Sequence, residues 1–320
     1  MSTIDDVLAV LTQADAPVSG ERLARKLGVS RNSVWKAIEQ LRREGYAIEA
    51  ATNRGYSLIE APDRISVAGI RQWLVPGGIG GRMELHRTLD STNTRAKAIA
   101  ATGAPHGYLV IAESQTGGKG RMGRAFFSPE HSGVYITYIL RPDMLAEQAV
   151  MITSMAAVAV ARAIETVADV QVGIKWVNDL YINGRKVCGI LCEASMGFES
   201  GQLEYAVLGI GVNVAAMAFP EELSAIATSI ENECGRPVSR NRLIAEISNQ
   251  LNALYGQLNS LEFMAESRKR SIVIGRNVQV VRGGQSFPAK ALDIDDRGCL
   301  VIQTGEGVSR VNSGEVSLKL

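Results

Sequence analysis

A glycine-rich and cation-rich stretch near the middle of the chain contains the residue types that bind a negatively charged group. The segment Gly117-Gly-Lys-Gly-Arg-Met-Gly-Arg124 holds four glycines and three cations. Glycine lets backbone N–H groups approach an anion closely, and the cations neutralise its charge. The segment therefore predicts a loop that binds phosphate.

Neither of two well-known nucleotide-binding motifs explains this loop. The spacing Gly118-x-Gly120-x-x-Gly123 fits the dinucleotide fingerprint, but that fingerprint must open a helix. Here residues 125–129, Ala-Phe-Phe-Ser-Pro, predict a strand that ends at Pro129. A Walker loop needs Ser or Thr after its lysine, whereas Gly120 follows Lys119. A basic glycine loop without a standard motif remains.

Two further polar segments allow both a structural and a ligand-binding interpretation. Asp90-Ser-Thr-Asn93 lies between a predicted strand and a predicted helix, where Asp90 or Ser91 would cap the helix. Lys175-Trp-Val-Asn-Asp179 precedes an Asn183-Gly184 hairpin turn, which would leave Lys186 as a solvated flank. Both interpretations stay open on these residues alone.

The cysteine and histidine content argues against a zinc site. The four cysteines form no CxxC pair, and the chain has three histidines. The first residues, MSTIDDVLAV, are acidic where a secretory signal is basic, and free thiols suit a reducing compartment. The most apolar helical stretch, 149–161, is too short to span a bilayer. We therefore expect a cytoplasmic protein that does not bind membranes.

The middle of the chain alternates strand-like and helical patterns. Strands are predicted over 107–113, 134–140, 186–193 and 204–212, and helices over 92–102, 146–167 and 240–255. These patterns predict an α/β or α+β fold around a mixed sheet, which would position the loop and the polar segments.

The first sixty residues have the pattern of a winged helix-turn-helix. Helices are predicted over Ile4–Thr12, from a Ser19 cap to Gly28, and from Ser30 to Gly45. The short link between the second and third helices has helix-turn-helix spacing. Alternating residues around Asn53-Arg54-Gly55 predict a hairpin, the wing.

Local charge indicates that this segment binds DNA. The whole chain has a net charge of +1, which excludes a polybasic coat, but 22–54 contains eight basic and three acidic residues, a local charge of +5. The predicted DNA-contacting residues are Arg31, Asn32, Ser33 and Lys36 at the start of the third helix, and Arg54 on the wing. The alternative is a winged helix used for protein contacts. One such unit is small, so specific binding needs a dimer on a two-fold operator.

Two seams divide the 320 residues into three predicted domains. The first seam is Glu60–Arg64, and the second lies near Arg268–Ser271, where the pattern changes from helical to period two. Short strands and turns over 272–320 predict a small β-barrel. The domains are a winged helix-turn-helix over 1–62, a ligand-binding domain over 63–270 and the barrel over 271–320.

Five motifs together resemble a known family. Asp90–Asn93, Gly118–Gly123, Lys175–Asp179, Arg185–Lys186 and Gly209–Asn213 occur in the order found in biotin protein ligases. With the winged helix, the chain is similar to the bifunctional bacterial form, which also represses the biotin operon. The resemblance covers essentially the whole chain and implies an SH3-like fold for the C-terminal barrel.

The resemblance implies a two-step reaction and a regulatory role. Biotin and ATP, with Mg²⁺, would give biotinyl-5′-adenylate and pyrophosphate. The biotinyl group would then pass to a lysine of the biotin carboxyl carrier protein of acetyl-CoA carboxylase. Adenylate binding would promote a homodimer that binds the operator DNA of biotin genes.

The resemblance also assigns roles to individual residues. The positions that contact biotin match Ser91, Thr92, Asn93 and Gln115. The loop that closes over biotin and the adenylate phosphate matches Lys119, Gly120 and Arg121, and the lysine that bonds the carboxylate and the reacting phosphate matches Lys186. Positions near the nucleotide and metal match Asn178 and Asp179, and the loop that covers the adenine begins at Asn213 and runs to about Ser229. The expected catalytic residues are Lys186, Arg121 and Lys119. Two positions depart from the family pattern: Lys119, where arginine is frequent, and Val177, where proline is common.

Three alternatives remain. Lipoate ligases are similar in fold and also form acyl-adenylates, but the winged helix and the Gly-Lys-Gly-Arg loop argue against them. A transcription factor that only senses the ligand would be expected to lack Lys186, which is present. A winged helix that now only scaffolds would not bind an operator.

Overall fold

The computed structural model describes residues 3–14, 16–43, 46–51, 54–60, 63–197, 201–282, 285–312 and 315–318. The chain divides into two compact units, one of residues 1–74 with 239–245 and the other of residues 75–238 with 246–320. The predicted domain boundaries after residues 62 and 270 stay a prediction.

The first unit contains the predicted helix-turn-helix. Its elements are α1 (Thr3–Thr12), α2 (Gly20–Leu27), α3 (Arg31–Arg43), β1 (Ala47–Ala51), β2 (Gly55–Glu60) and α4 (Val67–Arg71). Ser19 Oγ accepts the Arg22 N–H at 3.1 Å, and Gly28 ends α2 with φ +67°, which confirms both predicted caps. The predicted helix end at Gly45 and the turn residue Asn53 lie outside the described residues.

The wing is hydrogen-bonded to Val18, two residues before α2. Strands β1 and β2 pair antiparallel, as the sequence predicts. In addition, Val18 and Tyr56 exchange two backbone hydrogen bonds of 2.9 Å, a contact that the sequence pattern did not indicate. Gly55 has φ +106°, and a Cβ there would overlap the Val18 backbone. Glycine therefore permits the close approach.

The second unit is built on a mixed sheet, as predicted. Its elements up to residue 213 are β3 (Met83–Leu89), α5 (Thr92–Ala101), β4 (Tyr108–Gln115), β5 (Gly133–Leu140), α6 (Ala149–Ala168), β6 (Gly173–Lys175), β7 (Asp179–Ile182), β8 (Arg185–Met196) and β9 (Leu203–Asn213). The strand order is β3-β4-β5-β9-β8-β7-β6. Strands β3 and β4 are parallel, and the other neighbours are antiparallel.

Helix α6 forms the apolar core beside this sheet. Met155, Ala157 and Val160 are fully buried, together with most of the helix. The prediction that this stretch is too short to span a bilayer is wrong, because α6 extends to Ala168 and is long and apolar enough to do so. However, 78% of its most apolar part is buried inside the fold, which is typical of a core helix. The sequence predicted a start at residue 146, where a short 3-10 turn, Ala146–Gln148, precedes α6. The remaining helices are α7 (Glu221–Ser224), α8 (Ile230–Cys234), α9 (Arg240–Tyr255) and α10 (Phe263–Arg270).

The C-terminal segment is an antiparallel sheet. Its strands are β10 (Asn277–Arg282), β11 (Gln285–Ile294), β12 (Leu300–Thr304), β13 (Gly307–Val311) and β14 (Glu315–Leu318). They lie in the order β13-β12-β11-β10-β14. Val280, Leu300 and Ile302 are buried on one face. The period-two pattern thus predicted the strands correctly.

The predicted strand over 125–129 is wrong. Ala125 forms a single bridge to Lys119, and the Phe126 N–H donates to the Gly118 carbonyl at 2.9 Å. The segment folds back onto the glycine loop because its backbone hydrogen bonds go to that loop. The apolar run of Ala125 and two phenylalanines instead supplies side chains to the cavities described next.

Candidate functional site

Two adjoining cavities open beside the glycine loop. The first, of about 470 Å³ including solvent at its mouth, contains nine of the eleven residues predicted to bind ligands. These nine are Ser91, Thr92, Asn93, Gln115, Lys119, Gly120, Arg121, Asn178 and Lys186. The structure therefore gathers side chains from four separate sequence motifs around one space.

The second cavity, of about 1110 Å³ including open solvent, contains the other two predicted residues, Asp179 and Asn213. Both cavities are lined by Gly120, Arg121, Phe126, Asn178 and Lys186. A ligand in one cavity would therefore meet a ligand in the other beside two cations.

Glycines on the two central strands form the floor of the first cavity. Gly189 on β8 pairs with Gly211 on β9, and Gly209 lies two residues earlier on the same strand face. A Cβ at Gly209 would overlap the Asn93 amide, and one at Gly211 would overlap the Phe126 ring. The missing side chains therefore let Asn93 and Phe126 pack directly against the strands that line this cavity.

The beginning of α5 forms a polar wall, although not through the capping that the sequence allowed. Ser91 occupies the N-cap position, but within the described residues its side chain makes no capping hydrogen bond. Instead the Thr92 N–H donates to Gln115 Oε1 at 2.8 Å. Gln115 Nε2 in turn donates to Ser128 Oγ at 3.0 Å. A side chain from β4 thus replaces the usual cap, and Ser91 lines the cavity.

A second layer of polar residues supports this wall. Thr137 Oγ1 lies 2.8 Å from Thr92 Oγ1 and 2.7 Å from Asn93 Oδ1, and Asn93 Nδ2 donates to Glu193 Oε2 at 2.8 Å. Burial raises the pKa of Glu193, but hydrogen bonds from Lys97 and Asn93 outweigh the burial and hold the pKa below that of an ordinary glutamate. Sequence reasoning missed Thr137 and Glu193; the signal for Thr137 is a lone hydroxyl in the buried strand β5.

The two predicted loop cations have specific partners. Lys119 Nζ donates to Thr94 Oγ1 at 3.0 Å, and Arg121 Nη1 donates to Asn178 Oδ1 at 3.0 Å. The Gly120 N–H donates to the Arg124 carbonyl at 2.7 Å. The loop therefore folds on itself and holds its cations at the cavity walls.

Lys186 lies in the site, so its interpretation as a solvated flank is wrong. Its Nζ is 2.7 Å from Asp179 Oδ1, and its side chain is half-buried. Its backbone N–H donates to the Ile226 carbonyl and its carbonyl accepts the Thr228 N–H, both at 2.8 Å. The chain segment after β9 thus covers Lys186 from one side and limits its exposure.

Glu233 anchors that covering segment. Its carboxylate accepts hydrogen bonds from Asn183 at 2.7 Å, Arg185 at 2.6 Å and Thr228 at 2.5 Å. Burial raises the pKa of Glu233, but these donors lower it by more, so the net pKa lies below that of an ordinary glutamate. Asn213 Nδ2 also donates to the Thr228 carbonyl at 3.0 Å.

Aromatic residues that the sequence did not single out line the second cavity. They are Phe126, Phe127, Trp176 and Phe219. Trp176 Nε1 donates to the Gly298 carbonyl in the turn between β11 and β12 at 2.9 Å, and Val316 of β14 also lines the cavity. The peptide bond before Val177 is cis. The C-terminal sheet therefore contributes to this site.

The first unit presents a separate polar surface on α3. Arg31, Asn32 and Lys36 are exposed at the start of the helix, and Arg54 is exposed before β2. Ser33, the fourth residue predicted to contact DNA at the start of this helix, is half-buried. Its backbone N–H donates to Ser30 Oγ at 3.1 Å, which is a helix-capping contact.

The count of charged residues over 22–54 did not indicate two features of this surface. Arg42 donates twice to the Ile48 carbonyl, and Arg43 donates to the Glu39 carbonyl. These two cations therefore stabilise the fold locally. Trp35, missed from sequence, is 50% exposed between Val34 and Lys36, which is unusual for so large an apolar side chain.

Family models match three segments of the chain. Residues 85–213 match the Biotin/lipoate A/B protein ligase family, residues 3–57 an HTH domain, and residues 273–319 the Biotin protein ligase C terminal domain.

Known proteins are similar over nearly the whole length. The chain is 38% identical to the bifunctional ligase/repressor BirA of Bacillus subtilis, covering 98% of both chains. It is 33% identical to a biotin–[acetyl-CoA-carboxylase] ligase of Mycobacterium tuberculosis, covering 77% of this chain and 93% of that one. A solved structure, the biotin protein ligase of Aquifex aeolicus in complex with biotin and ATP, has a TM-score of 0.64 at 25% identity, covering 75% of this chain and 99% of that one. The chain therefore belongs to the family of bifunctional biotin protein ligases and repressors.

Proposed function

We propose that the chain activates biotin with ATP in the two joined cavities, and that Lys186 and Arg121 lie where the two substrates react. The observation that carries this proposal is the pair of cations shared by both cavities. A carboxylate and a triphosphate repel each other, and fixed cations in a partly dry site offset that repulsion. The likeness to a ligase bound to biotin and ATP supports the same pair of substrates.

The proposed reaction has two steps. A biotin carboxylate oxygen attacks the α-phosphorus of ATP, a new P–O bond forms, and the bond to the β-phosphate oxygen breaks, releasing pyrophosphate. A lysine amine of the carrier protein then attacks the activated carbonyl carbon. The C–O bond to AMP breaks, AMP leaves, and the amine loses a proton.

The first cavity is proposed to bind biotin. Ser91, Thr92, Asn93 and Gln115 would bind its polar ring, and its apolar chain would lie along the lining of this cavity toward Lys186. A few placed polar groups in an otherwise tight cavity are typical of a small-molecule site.

The second cavity is proposed to bind the nucleotide. Asn178 and Asp179 would lie near the phosphates, and Asn213 with the segment to Ser229 near the adenine. The Asp179 carboxylate is the kind of hard oxygen donor that Mg²⁺ prefers, and Mg²⁺ would enter with ATP and neutralise phosphate charge. The Asp179–Lys186 ion pair would then exchange partners, which frees the Lys186 ammonium for the reacting phosphate.

The glycine loop is proposed to act as a lid. Lys119, Gly120 and Arg121 would close over the adenylate and exclude water from a bond that hydrolyses readily. Lysine lacks the planar fork with which arginine binds a phosphate in two places. We therefore expect Lys119 to retain the intermediate less tightly than an arginine would.

We further propose a carrier protein and an operator DNA as the partners of this chain. The carrier would be the biotin carboxyl carrier protein of acetyl-CoA carboxylase. Operator DNA of biotin genes would be bound by Arg31, Asn32, Ser33, Lys36 and Arg54, and adenylate binding would promote a homodimer.

The protein would be cytoplasmic, with domains 1–62, 63–270 and 271–320, the last closed as an SH3-like barrel.

Pyrophosphate exchange tests the proposed chemistry. Lys186→Ala and Arg121→Ala should each slow biotin-dependent exchange into ATP by roughly 10²–10³-fold. Lys290→Ala removes an exposed cation on the C-terminal sheet and should leave the rate unchanged. Wild-type rates in both site variants would refute the assignment of Lys186 and Arg121. Exchange that depends on lipoate in place of biotin would show that lipoate is the substrate.

A further inference from the structure

Trp35 is a large apolar residue of α3 that the packing of the first unit leaves half exposed. Val34 and Ile38 of the same helix are fully buried, whereas Trp35 is 50% exposed. Another exposed tryptophan of this unit, Trp73, has the Arg242 guanidinium 5.1 Å from the centre of its ring. Within the described residues, no aromatic ring or cation stacks on the Trp35 ring, and no group accepts a hydrogen bond from its indole N–H.

The exposed side of α3 places this ring among polar side chains. An α-helix turns by about 100° per residue, so positions 31, 32, 35 and 36 share the side opposite the buried stripe. Viewed along the axis, Trp35 falls between Arg31 and Asn32. These two side chains and Lys36 are exposed, and none of the three forms a hydrogen bond or an ion pair with another described residue. This side of the helix is therefore positively charged, rich in unused donors and apolar at Trp35.

Duplex DNA matches this combination of groups. Its phosphates attract the cations, and its base edges offer acceptors to Arg31 and Asn32. In a helix-turn-helix, the first residues of the second helix contact base edges in the major groove. That helix is α3 in this chain, and positions 31 to 36 are its first six residues. On bound DNA, the Trp35 ring would therefore face the same groove as the polar side chains beside it.

The major groove offers an apolar partner to an indole ring. That partner is the 5-methyl group of thymine, because the other groups that distinguish the base pairs there donate or accept hydrogen bonds. Covering a polar group without a hydrogen bond costs free energy, whereas covering a methyl group removes apolar surface from water. A large apolar side chain at this position consequently favours a site that contains thymine.

We propose that Trp35 is a specificity-determining residue of the operator contact, and that its indole ring packs against the 5-methyl group of a thymine in the major groove. The inference rests on the proposed function, because it requires operator binding through α3. Arg31 and Asn32 would bind base edges through hydrogen bonds. Trp35 would add a requirement for a methyl group, which hydrogen-bonding side chains do not sense.

Replacing thymine by uracil removes this methyl group and keeps every hydrogen-bonding group of the base. The probe is a duplex that carries the operator of the biotin genes, located by footprinting with the chain, biotin and Mg²⁺-ATP. Each thymine is replaced by uracil in turn, and Kd is measured by fluorescence anisotropy with the whole chain. Low salt strengthens the phosphate contacts, so the Kd values of weak variants stay measurable.

We expect uracil at one thymine of each half-site to raise the wild-type Kd by about fourfold, the effect of one buried methyl group. Trp35→Ala should raise Kd for the unmodified operator by about tenfold and remove the response to uracil at that thymine. Trp35→Phe keeps an apolar ring and should keep part of the response. The response is a ratio of two Kd values for one protein sample, so a partly unfolded variant still gives a valid ratio.

Trp73→Ala is the matched control. It removes a similarly exposed tryptophan that lies outside the helix-turn-helix and the wing. The response to uracil should therefore equal that of the wild-type chain. A duplex of scrambled sequence and equal length measures binding that does not depend on sequence, and Trp35→Ala should change its Kd by less than twofold.

Three results would overturn the inference. Uracil that weakens wild-type binding at no position would show that no thymine methyl group is contacted. A response to uracil that persists in Trp35→Ala would show that another residue contacts the methyl group. An equal loss of affinity for the operator and the scrambled duplex in Trp35→Ala would show that the ring contacts the DNA backbone. If the wild-type chain with biotin and Mg²⁺-ATP does not prefer the operator to the scrambled duplex, the proposed function fails first, and that outcome is distinct from these three.

Discussion

At the scale of single residues, the first cavity depends on positions where no side chain is present. Gly209 directly faces the Asn93 amide, and Gly211 faces the Phe126 ring. Both lie in β9, where a larger residue would otherwise favour the strand. Cavity shape therefore takes precedence over strand propensity at these two positions.

Gly209→Ala should weaken biotin binding. The added methyl group overlaps Asn93 Oδ1, so Asn93 must move and the polar wall is distorted. We expect biotin Kd to rise by at least about tenfold, equivalent to 1.4 kcal/mol. Calorimetry with biotin measures this, and Gly256→Ala, where a Cβ meets nothing within 4 Å, is the control. Equal affinity in the two variants would contradict the described floor.

At the same scale, the sequence predicted most residues around the first cavity but not the second layer. The cations of the glycine loop and the Asp90–Asn93 segment belong to motifs that can be recognised from the sequence alone. Thr137 and Glu193 have none, because their roles depend on strand pairing across β5, β9 and β8, which brings distant residues into contact. Strand register is a long-range property that local patterns do not specify.

At the scale of elements, the turns and short segments around the sheet hold Lys186, the proposed catalytic lysine, in place. The segment after β9 pairs with the Lys186 backbone, and Glu233 fixes that segment through three donors. Periodicity predicted the long strands and helices well. It missed α4, α7, α8 and the refolding of 125–129, since such short segments take their structure from the groups they pack against.

The Glu233 anchor should make stability depend on pH in a defined direction. The pKa of Glu233 in the folded protein lies below the ordinary value for a glutamate, so its stabilisation is complete above that ordinary value and is lost as the pH falls through the folded pKa. Glu233→Gln should lower the free energy of unfolding at pH 7 by about 1–3 kcal/mol, and the difference from wild type should shrink below pH 4.5.

Urea unfolding at a series of pH values measures the Glu233 effect. Glu306→Gln, at an exposed position in a turn of the C-terminal sheet, is the control and should follow wild type at every pH. A Glu233→Gln deficit that stays constant from pH 7 to pH 3.5 would contradict the anchor.

A second prediction at this scale concerns the turn between β11 and β12. Trp176→Phe removes the indole N–H that donates to the Gly298 carbonyl while keeping an aromatic ring in the second cavity. We expect KM for ATP to rise several-fold, on the order of one net hydrogen bond, with KM for biotin unchanged. Steady-state kinetics with each substrate varied in turn separates the two. A rise confined to biotin would show that the cavities are assigned the wrong way round.

At the scale of the whole molecule, one chain combines a DNA-reading unit with a ligase unit. The sequence predicted both, because each has its own local signature: helix caps and a basic helix in one, and ordered motifs in the other. How the C-terminal sheet contributes to the site could not be predicted, since that contribution depends on Trp176 meeting Gly298 across the fold and on Val316 lining the same cavity.

The coupling of the two functions gives a prediction at this scale. Arg31→Ala should weaken operator binding by about 1–3 kcal/mol, as for one lost base contact, and leave biotin-dependent pyrophosphate exchange at the wild-type rate.

Biotin with ATP should strengthen operator binding by the wild-type chain. Gel-shift titrations with and without both small molecules test this, and operator binding that ignores them would contradict the coupling.

The most direct test of the central claim is mass spectrometry of a carrier domain incubated with the wild-type chain, biotin and Mg²⁺-ATP. We expect one biotinyl group on one lysine of the carrier, formed only when both small molecules are present and lost in Lys186→Ala. An unmodified carrier, in a sample where the chain is folded and binds biotin, would contradict it.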